Sequence, residues 1–256
     1  MDTQRTASEA APARTTENAV RLDGVSFAYP PARRGGPTPA LQDIDIAVAR
    51  GEIVAVVGPS GCGKSTLLDV VCGLLEPDRG TVAADPAVLM PQRDLLLPWF
   101  DALDNAGLAL RVRGTSRAAA RQRAAQTFAQ FGLAGFERSR PHELSGGMRQ
   151  RVAFLRTLLA GKPVLCLDEP FGALDALTRA EMRDWLAGAL EREPRTTLIV
   201  THDVEEACAL ADRIVILTPR PARVAAVVDV DLPRPRRVTD PALLALRERA
   251  LEVLAG

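Results

Sequence analysis

The sequence predicts an α/β protein with a mostly parallel core sheet, an antiparallel β subdomain and an inserted α-helical subdomain. Two early segments, 20–27 and 41–48, alternate apolar and polar residues with the period of antiparallel strands. Two continuous apolar runs, residues 53–57 and 164–167, are typical of buried strands of a parallel sheet, and residues 196–200 read as a further buried strand. Between residues 101 and 131 the pattern is helical and rich in Ala and Arg, so a helical subdomain interrupts the α/β core.

Composition and charge narrow the class of protein. The chain has 256 residues, 47% of them hydrophobic, which predicts one compact domain with an appended lobe. Lys and Arg together number 32, as do Asp and Glu, and this balance argues against a protein that coats nucleic acid. The sequence contains no apolar stretch near the ~20 residues that span a bilayer, and it begins without the apolar core of a signal peptide. We therefore expect a cytoplasmic protein that reaches a membrane only through a partner.

Taken in order, the chain divides into a tail, a main domain and an extension. Residues 1–19 are rich in Ala, Thr and Glu without periodicity, and we expect them to be disordered. The main domain covers residues 20–231, with the helical subdomain at about 93–160. After the first long helix the chain turns at Gly80 into a pair of strands that ends near Met90. The extension, 232–256, contains a helix from about Pro241 to Leu254.

A phosphate-binding loop follows the strand at 53–57. The loop fits the pattern G-x-x-x-x-G-K-[ST] and consists of Gly58, Pro59, Ser60, Gly61, Cys62, Gly63, Lys64, Ser65 and Thr66. Its glycines let successive N–H groups point into one concavity, and the helix behind it adds a positive end. Lys64 would contact the β- and γ-phosphates, and the Ser65 hydroxyl would contact magnesium. An ordinary glycine-rich turn is the alternative, but the strand, loop and helix together favour a P-loop NTPase core that binds a nucleoside triphosphate.

Two rare residue types bear on this loop. Only Lys64 and Lys162 are lysines, against 30 arginines, so a lysine inside the loop is informative: a compact ammonium fits the concavity and a planar guanidinium does not. The four cysteines, at positions 62, 72, 166 and 208, have no paired spacing, and we expect reduced thiols. The adjacent helix N-terminus is expected to lower the pKa of Cys62.

Further polar residues stand at strand ends and at one helix start. Tyr29 ends the first strand, where it would stack on a base or simply cover the sheet. Ser145 and two glycines open a helix with free N–H donors that suit an anion, although a plain helix cap explains them too. Asp168 and Glu169 end one parallel strand, where open α/β sheets place their ligands. His202 follows the next strand, and a structural role is its alternative.

Together these motifs resemble an ATP-binding-cassette (ABC) ATPase from Val20 to about Asp231. The phosphate loop alone is shared with kinases and GTPases, whereas the segment 144–150, before the acidic strand, is close to diagnostic of this family. The spacing agrees as well, because Asp168 follows Ser145 by 23 residues and His202 follows Glu169 by 33.

The resemblance implies a role for each matching residue, with ATP and Mg²⁺ as cofactors. Tyr29 stacks on adenine, Ser65 and Gln92 coordinate the magnesium ion, and Asp168 holds that ion through water. Glu169 acts as general base on the attacking water, and His202 contacts the γ-phosphate, with Lys64 as the third catalytic group. Asp175 belongs to a segment that communicates between two sites. The signature residues Leu144, Ser145, Gly146, Gly147 and Gln150 face ATP held by the opposite subunit. One departure is Gly172, where many members of the family have Ser.

A cassette without membrane helices resembles the ATPase subunit of a bacterial importer. Such a subunit forms a homodimer or heterodimer at the cytoplasmic side of the membrane, binds transmembrane permease subunits and serves a solute-binding protein indirectly. The segment from Gln92 to Trp99 resembles the nitrate/sulfonate/taurine importers, as do residues 217–223 and 233–235; thiamine-precursor and riboflavin-type importers share much of this pattern. Leu97 and Trp99 are expected to dock the permease, the alternative being that they form the core of the helical subdomain.

Two other classes of protein are alternatives. A soluble cassette ATPase of DNA repair, translation or cofactor assembly usually has two cassettes, a long coiled coil or a basic face, and the sequence has none of these. A small-molecule kinase needs a substrate lid rather than a Ser-Gly-Gly helix start and a strand-end Asp-Glu pair. The imported solute is not predicted, because the solute-binding protein and the permease select it.

Overall fold

Two β-sheets form the scaffold of the protein. The computed structural model describes residues 17–31, 36–172 and 174–255. Residues 1–16 of the predicted tail lie outside this range, whereas Asn18 and Ala19 belong to the first strand, so the disorder expected for residues 1–19 is wrong for these two residues. The strands are β1 (Asn18–Tyr29), β2 (Thr38–Ala49), β3 (Ile53–Val57), β4 (Arg79–Ala84), β5 (Ala87–Met90), β6 (Val164–Asp168), β7 (Thr196–Thr201), β8 (Arg213–Leu217) and β9 (Val224–Asp229). Three of them form a sheet of order β2-β1-β4, and six form a sheet of order β5-β6-β7-β3-β8-β9.

The six-stranded sheet is parallel except for its last strand. β3 lies between β7 and β8, and all of its residues are buried. Ile53, Ala55 and Val57 pack in the cluster that contains the last two helices of the chain. Val54 and Val56 pack in the cluster that contains the first helix and the three-stranded sheet. Only β9 runs antiparallel, at the edge. The carboxyl ends of β3, β6 and β7 therefore meet at one edge of the sheet, where open α/β sheets bind ligands. The predicted fold class is confirmed.

The strand pair predicted after Gly80 is divided between the two sheets. β4 pairs antiparallel with β1, and β5 pairs parallel with β6. Gly80 allows the first pairing, because its φ is +84° and a Cβ there would lie 2.4 Å from the carbonyl oxygen of Gly24. This approach joins residues far apart in sequence, so local turn signals do not reveal it.

The helical subdomain has more breaks than the sequence pattern indicates. The helices are α1 (Lys64–Val71), α2 (Ala102–Ala106), α3 (Leu108–Val112), α4 (Arg117–Phe128), α5 (Gly146–Leu159), α6 (Ala176–Arg192), α7 (Val204–Leu210) and α8 (Pro241–Ala255), with a short 3-10 helix at Pro141–Glu143. Besides the predicted break at Gly114, a break at Gly107 separates α2 from α3. Phe128, Phe131 and Phe154 are buried at the centre of this subdomain.

The C-terminal extension packs on the α/β core. Leu243, Leu246 and Ala250 of α8 are buried in the same apolar cluster as Ile214 and Ile216 of β8. The extension is also joined to the core by an ion pair of 2.7 Å between Arg234 and Asp212. None of the helices in the described ranges is both long enough and apolar enough to cross a bilayer.

Candidate nucleotide-binding site

The loop between β3 and α1 has the conformation that a phosphate loop needs. Gly61 and Gly63 have φ values of +75° and +130°, which residues with a side chain rarely adopt. A Cβ at Gly63 would also lie 2.8 Å from the carbonyl oxygen of Ala40. No side chain caps the N-terminus of α1, so the first N–H groups of the helix are left for an anion.

Lys64 is a buried cation at the start of α1. Only 4% of its surface is exposed, and its Nζ donates hydrogen bonds to the carbonyl oxygens of Gly58 and Pro59 at 2.9 and 3.1 Å. The structure gives it no carboxylate partner among the described residues. A buried charge without a counter-ion is costly, so the loop is built to receive negative charge from a ligand.

A cavity of about 410 Å³ opens over this loop. It is lined by Tyr29, Ala40, Ser60, Gly61, Gly63, Lys64, Ser65, Thr66, Gln92, Glu169 and Arg220. The volume lies within the ~300–1,000 Å³ of small-molecule sites. Tyr29 is 37% exposed and its hydroxyl lies 3.0 Å from Oγ1 of Thr66, so the ring borders the cavity beside the phosphate loop.

Three polar side chains from separate segments meet at the acidic end of the cavity. Glu169 accepts a hydrogen bond from Nε2 of Gln92 at 3.0 Å, and its other oxygen lies 3.3 Å from Nδ1 of His202. The φ of Glu169 is +41°, an uncommon conformation for a residue with a side chain and one that is found most often at functional sites. Gln92, Glu169 and His202 are thus brought together as the sequence predicted.

Asp168 lies next to this group at the end of β6. Burial raises the pKa of its carboxyl, the neighbouring Glu169 raises it further, and a hydrogen bond with the Ser65 hydroxyl opposes the shift. Such an environment favours a cation at the carboxylate, with Ser65 as a second oxygen ligand.

The expectation for Cys62 is wrong. Burial raises the pKa of its thiol, and the lowering by Lys64 is smaller. Cys62 is almost completely buried within the apolar cluster behind the loop, so the helix N-terminus does not make it a reactive thiol.

The signature segment lies outside the cavity. Ser145 caps α5 by accepting a hydrogen bond from the N–H of Met148 at 3.2 Å, and Gly146 follows it half-buried. Gly147 packs against α6, since a Cβ there would lie 3.3 Å from Cγ2 of Thr178. Leu144 and Gln150 are buried, which limits both side chains to supporting the segment from within.

Asp175 lies beside this segment and caps α6. Its carboxylate accepts hydrogen bonds from the N–H and the hydroxyl of Thr178 at 3.1 and 2.7 Å, and these bonds lower its pKa. Neither Asp175 nor the signature glycines line the cavity of their own chain. That position is compatible with the expected contact to an opposite subunit.

Trp99 does not belong to the core of the helical subdomain. It is 66% exposed and contacts Phe100 edge-on, with ring centroids 6.4 Å apart. The backbone before it is well held, because the N–H of Leu97 donates to Oδ1 of Asn105 at 2.7 Å. The core alternative is therefore wrong for Trp99, whereas Leu96 is buried.

Two functional candidates escaped the sequence analysis. Arg220 lines the cavity. Its segment, residues 217–223, indicates from sequence only a resemblance to the nitrate/sulfonate/taurine importers. Glu206 is a buried carboxyl, 5% exposed, that accepts a hydrogen bond from the hydroxyl of Thr201 at 2.6 Å.

Replacing Glu206 by Gln is expected to stabilise the protein at neutral pH. Burial, with a smaller effect of Asp203, raises the pKa of Glu206 to about 6, against the opposing effects of Thr201, Arg179 and His202. Because the folded-state pKa exceeds the unfolded one, ionisation costs stability as pH rises from about 4.5 to 6, and the cost stays constant above that. Gln keeps an acceptor for Thr201 and removes a cost of up to about 2 kcal/mol at pH 8.

Urea unfolding at several pH values measures this gain. The difference between Glu206→Gln and the unmodified protein should shrink toward zero as pH falls from 6 to 4.5. Glu252→Gln, the same change at an exposed position of α8, is the control and should show no such trend. A gain independent of pH would contradict the assignment to ionisation.

The fold and the site together define a class of protein. The central strand of the parallel sheet enters a glycine-rich loop with a buried lysine, and β6, two strands away in the same sheet, ends in two carboxylates. This arrangement is that of a phosphate-loop nucleotide-binding domain.

Comparison with known proteins identifies the family. The family model described as "ABC transporter" matches residues 41–172. The chain belongs to the ABC transporter family and is an ATPase of that family, which confirms the predicted resemblance.

Relatives match most of the chain. The formylaminopyrimidine import ATP-binding protein ThiZ of Halalkalibacterium halodurans is 45% identical over 203 residues, which cover 78% of this chain and 80% of the relative. The aliphatic sulfonates import ATP-binding protein SsuB 1 of Rhodococcus jostii is 44% identical over 246 residues, 93% of this chain and 94% of the relative. Among solved structures, the chain is similar to the ATP-binding cassette MJ0796 in a dimeric post-hydrolysis state bound to ADP and Pi. The TM-score is 0.71 and the sequence identity 28%, and the match covers 83% of this chain and 99% of the MJ0796 chain.

Proposed function

We propose that the chain is the ATP-hydrolysing subunit of a bacterial importer and powers uptake of a small solute through a separate permease. The observation that carries this proposal is the 3.0 Å hydrogen bond between Gln92 and Glu169. Gln92 begins the segment that ends at the exposed Trp99, so a partner bound at Trp99 would act on the residue proposed to be the general base. Both relatives described above are named as import proteins.

Within one subunit, the cavity residues bind and orient ATP. The N–H groups of the phosphate loop and the Lys64 ammonium hold the phosphates, while Tyr29 stacks on the base. Glu169 accepts a proton from the attacking water, and His202, 3.3 Å away, orients that water. Gln92 fixes the Glu169 carboxylate through its hydrogen bond.

The residues around Asp168 fit a magnesium ion. The half-buried carboxylate of Asp168, the hydroxyl of Ser65 and the amide oxygen of Gln92 are the hard oxygen groups that Mg²⁺ prefers. When bound there, Mg²⁺ neutralises the charge that develops on the phosphates. In the present structure the Gln92 amide nitrogen donates to Glu169, and the amide oxygen would be the group that holds the ion.

A second subunit completes the site. The cavity is lined by one chain only, and the N–H groups that follow Ser145 lie outside it. In a two-fold dimer, Ser145, Gly146 and Gly147 of each chain would close the other side and exclude water, with Asp175 between the two sites. ATP would then close the dimer and hydrolysis would open it. The MJ0796 cassette is described as a dimer.

The permease holds the protein at the cytoplasmic side of the membrane, as a peripheral subunit. We propose that Trp99, together with the half-buried Leu97 of the same segment, receives a short helix of the permease, because helix-in-groove docking needs exposed apolar anchors. The solute-binding protein that delivers the solute acts on the permease and makes no contact with this chain.

Replacing Trp99 by Ala is expected to uncouple the subunit from the permease without unfolding it. The side chain is exposed, so the free energy of unfolding should change by no more than about 0.5 kcal/mol. Co-purification with the permease should fall several-fold, as should stimulation of ATP hydrolysis by the permease. Val112→Ala removes another exposed apolar side chain of the same subdomain and serves as the control. Normal coupling of a folded Trp99→Ala protein would place the docking surface elsewhere.

Two solute classes compete for this importer. The sulfonate and formylaminopyrimidine relatives are 44% and 45% identical, so similarity alone does not choose between them. We favour a sulfonate-like solute, because the SsuB 1 match extends over 93% of the chain. A strain without this gene should lose growth on an alkanesulfonate as sulfur source. Loss of growth on a formylaminopyrimidine as thiamine precursor would select the alternative, and loss of neither would leave another small solute or a cassette that does not serve transport.

A further inference from the structure

The turn between β8 and β9 forms part of the wall of the nucleotide cavity. The turn is closed by a hydrogen bond of 3.0 Å from the N–H of Thr218 to the carbonyl oxygen of Arg223. Ala222 fixes it to β2, since its N–H donates to Ala40 and its carbonyl accepts from Gln42, both at 2.9 Å. Ala40 is the residue that Gly63 of the phosphate loop approaches closely. The turn is thus held in a defined position next to the loop.

Arg220 extends from this turn over Tyr29. Its Cζ lies 5.9 Å from the centroid of the Tyr29 ring, within the range of a cation–π interaction. Its Nε donates a hydrogen bond to the carbonyl oxygen of Pro39 at 2.8 Å, and Nη2 lies 3.5 Å from that of Thr38. Two carbonyl groups of β2 therefore fix the plane of the guanidinium, which a lysine could not reproduce.

The charge of Arg220 remains available to the ring. Among the described residues, no carboxylate pairs with Arg220, whereas Arg223 of the same turn lies 3.8 Å from Asp43. A guanidinium that is not paired with a carboxylate keeps its full attraction for the negative face of an aromatic ring. Phe27 contacts the same ring edge-on, with centroids 5.0 Å apart. Tyr29 is therefore held by Arg220, by Phe27 and by the hydroxyl contact with Thr66.

We propose that Arg220 is a positioning residue of the nucleotide site and holds the Tyr29 ring in the orientation that stacks on the base of a nucleoside triphosphate. The proposal rests on the proposed role of Tyr29 in base stacking. An ordered ring loses little conformational freedom when the base binds, so the contact raises affinity without touching the phosphates. The turn between β8 and β9 thus helps to position Tyr29 in addition to connecting the two strands.

The test compares nucleotide binding by Arg220→Ala and by Arg223→Ala, the matched control in the same turn. Titration calorimetry with ATP should show about five-fold weaker binding for Arg220→Ala and a change of less than two-fold for Arg223→Ala. Inorganic tripolyphosphate, which has no base, should bind to Arg220→Ala within two-fold of the unmodified protein. In a Tyr29→Ala background, the further change Arg220→Ala should have almost no effect on ATP binding, because the two residues act as a unit.

Three results would overturn the proposal. ATP binding by folded Arg220→Ala that is unchanged or tighter would show that the arginine does not assist the ring. If Arg220→Ala weakens tripolyphosphate binding as much as ATP binding, the arginine acts through its charge on the phosphates and not through the Tyr29 ring. If the losses of ATP-binding free energy caused by Tyr29→Ala and Arg220→Ala add fully in the double variant, the two residues act independently. If Arg220→Ala unfolds, Arg220→Lys keeps the charge and should still bind ATP more weakly. Failure of the unmodified protein to bind ATP would instead refute the nucleotide site, and failure of Tyr29→Ala to weaken binding would refute base stacking.

Discussion

Replacing Glu169 by Gln is expected to reduce ATP turnover by about 10²–10³-fold while ATP binding is retained. A neutral amide cannot accept the proton of the attacking water, and general-base catalysis typically contributes about 10²–10⁴-fold. The amide has the shape of the carboxylate and can still accept the hydrogen bond from Gln92, so the local geometry should persist. The variant should accumulate as an ATP-bound dimer in gel filtration.

Steady-state ATPase assays, with calorimetry for binding, check this result. Glu248→Gln makes the same chemical change on the exposed face of α8 and should leave turnover unaltered. If Glu169→Gln hydrolyses ATP at nearly the rate of the unmodified protein, Glu169 is not the general base. His202 would then be the next candidate, because its Nδ1 lies 3.3 Å from Oε1 of Glu169.

Replacing Lys64 by Ala is expected to weaken ATP binding itself, by about 10²-fold. The ammonium is buried against the loop and has no carboxylate partner among the described residues, so the triphosphate supplies its counter-charge. Charge-assisted hydrogen bonds of this kind contribute roughly 1.5–3 kcal/mol each. Lys64→Arg should not restore binding, because the planar guanidinium does not fit between the carbonyl groups of Gly58 and Pro59.

The other lysine of the chain provides the control. Lys162 is half-buried beyond α5, and Lys162→Ala should bind ATP normally. Thermal unfolding without nucleotide establishes that Lys64→Ala is folded. If a folded Lys64→Ala protein binds ATP as the unmodified protein does, the triphosphate does not lie in this loop.

Local patterns were enough to predict the elements that present the phosphate site. The apolar run of β3, the glycines of the loop and the first turns of α1 follow one another within about twenty residues. Each of these three patterns therefore makes the prediction of the other two stronger. The carboxylates after β6 were predicted for a similar reason, because a buried parallel strand places its C-terminal residues at the ligand-binding edge.

Features that depend on distant contacts were not predictable. The pairing of β4 with β1 depends on the backbone of Gly80 meeting that of Gly24, and the position of Arg220 depends on a turn that docks on β2. The pKa of Cys62 is set by the apolar cluster behind the loop rather than by the neighbouring helix end. Exposure of Trp99 likewise follows from how α2 to α5 assemble and not from its own apolar neighbours.

The central place of β3 has a consequence for synthesis on the ribosome. This strand pairs with β7 and β8, which follow it by more than 135 residues, so the strand that enters the phosphate loop has no sheet partner when it emerges. At about 5–20 residues per second, the interval before β8 is complete is on the order of 10–30 s. During that time the sequence Ile-Val-Ala-Val-Val is an unpaired, aggregation-prone strand. Nascent chains truncated before residue 196 should therefore bind a chaperone that recognises extended apolar segments, and release should coincide with the appearance of β7 and β8 outside the ribosome.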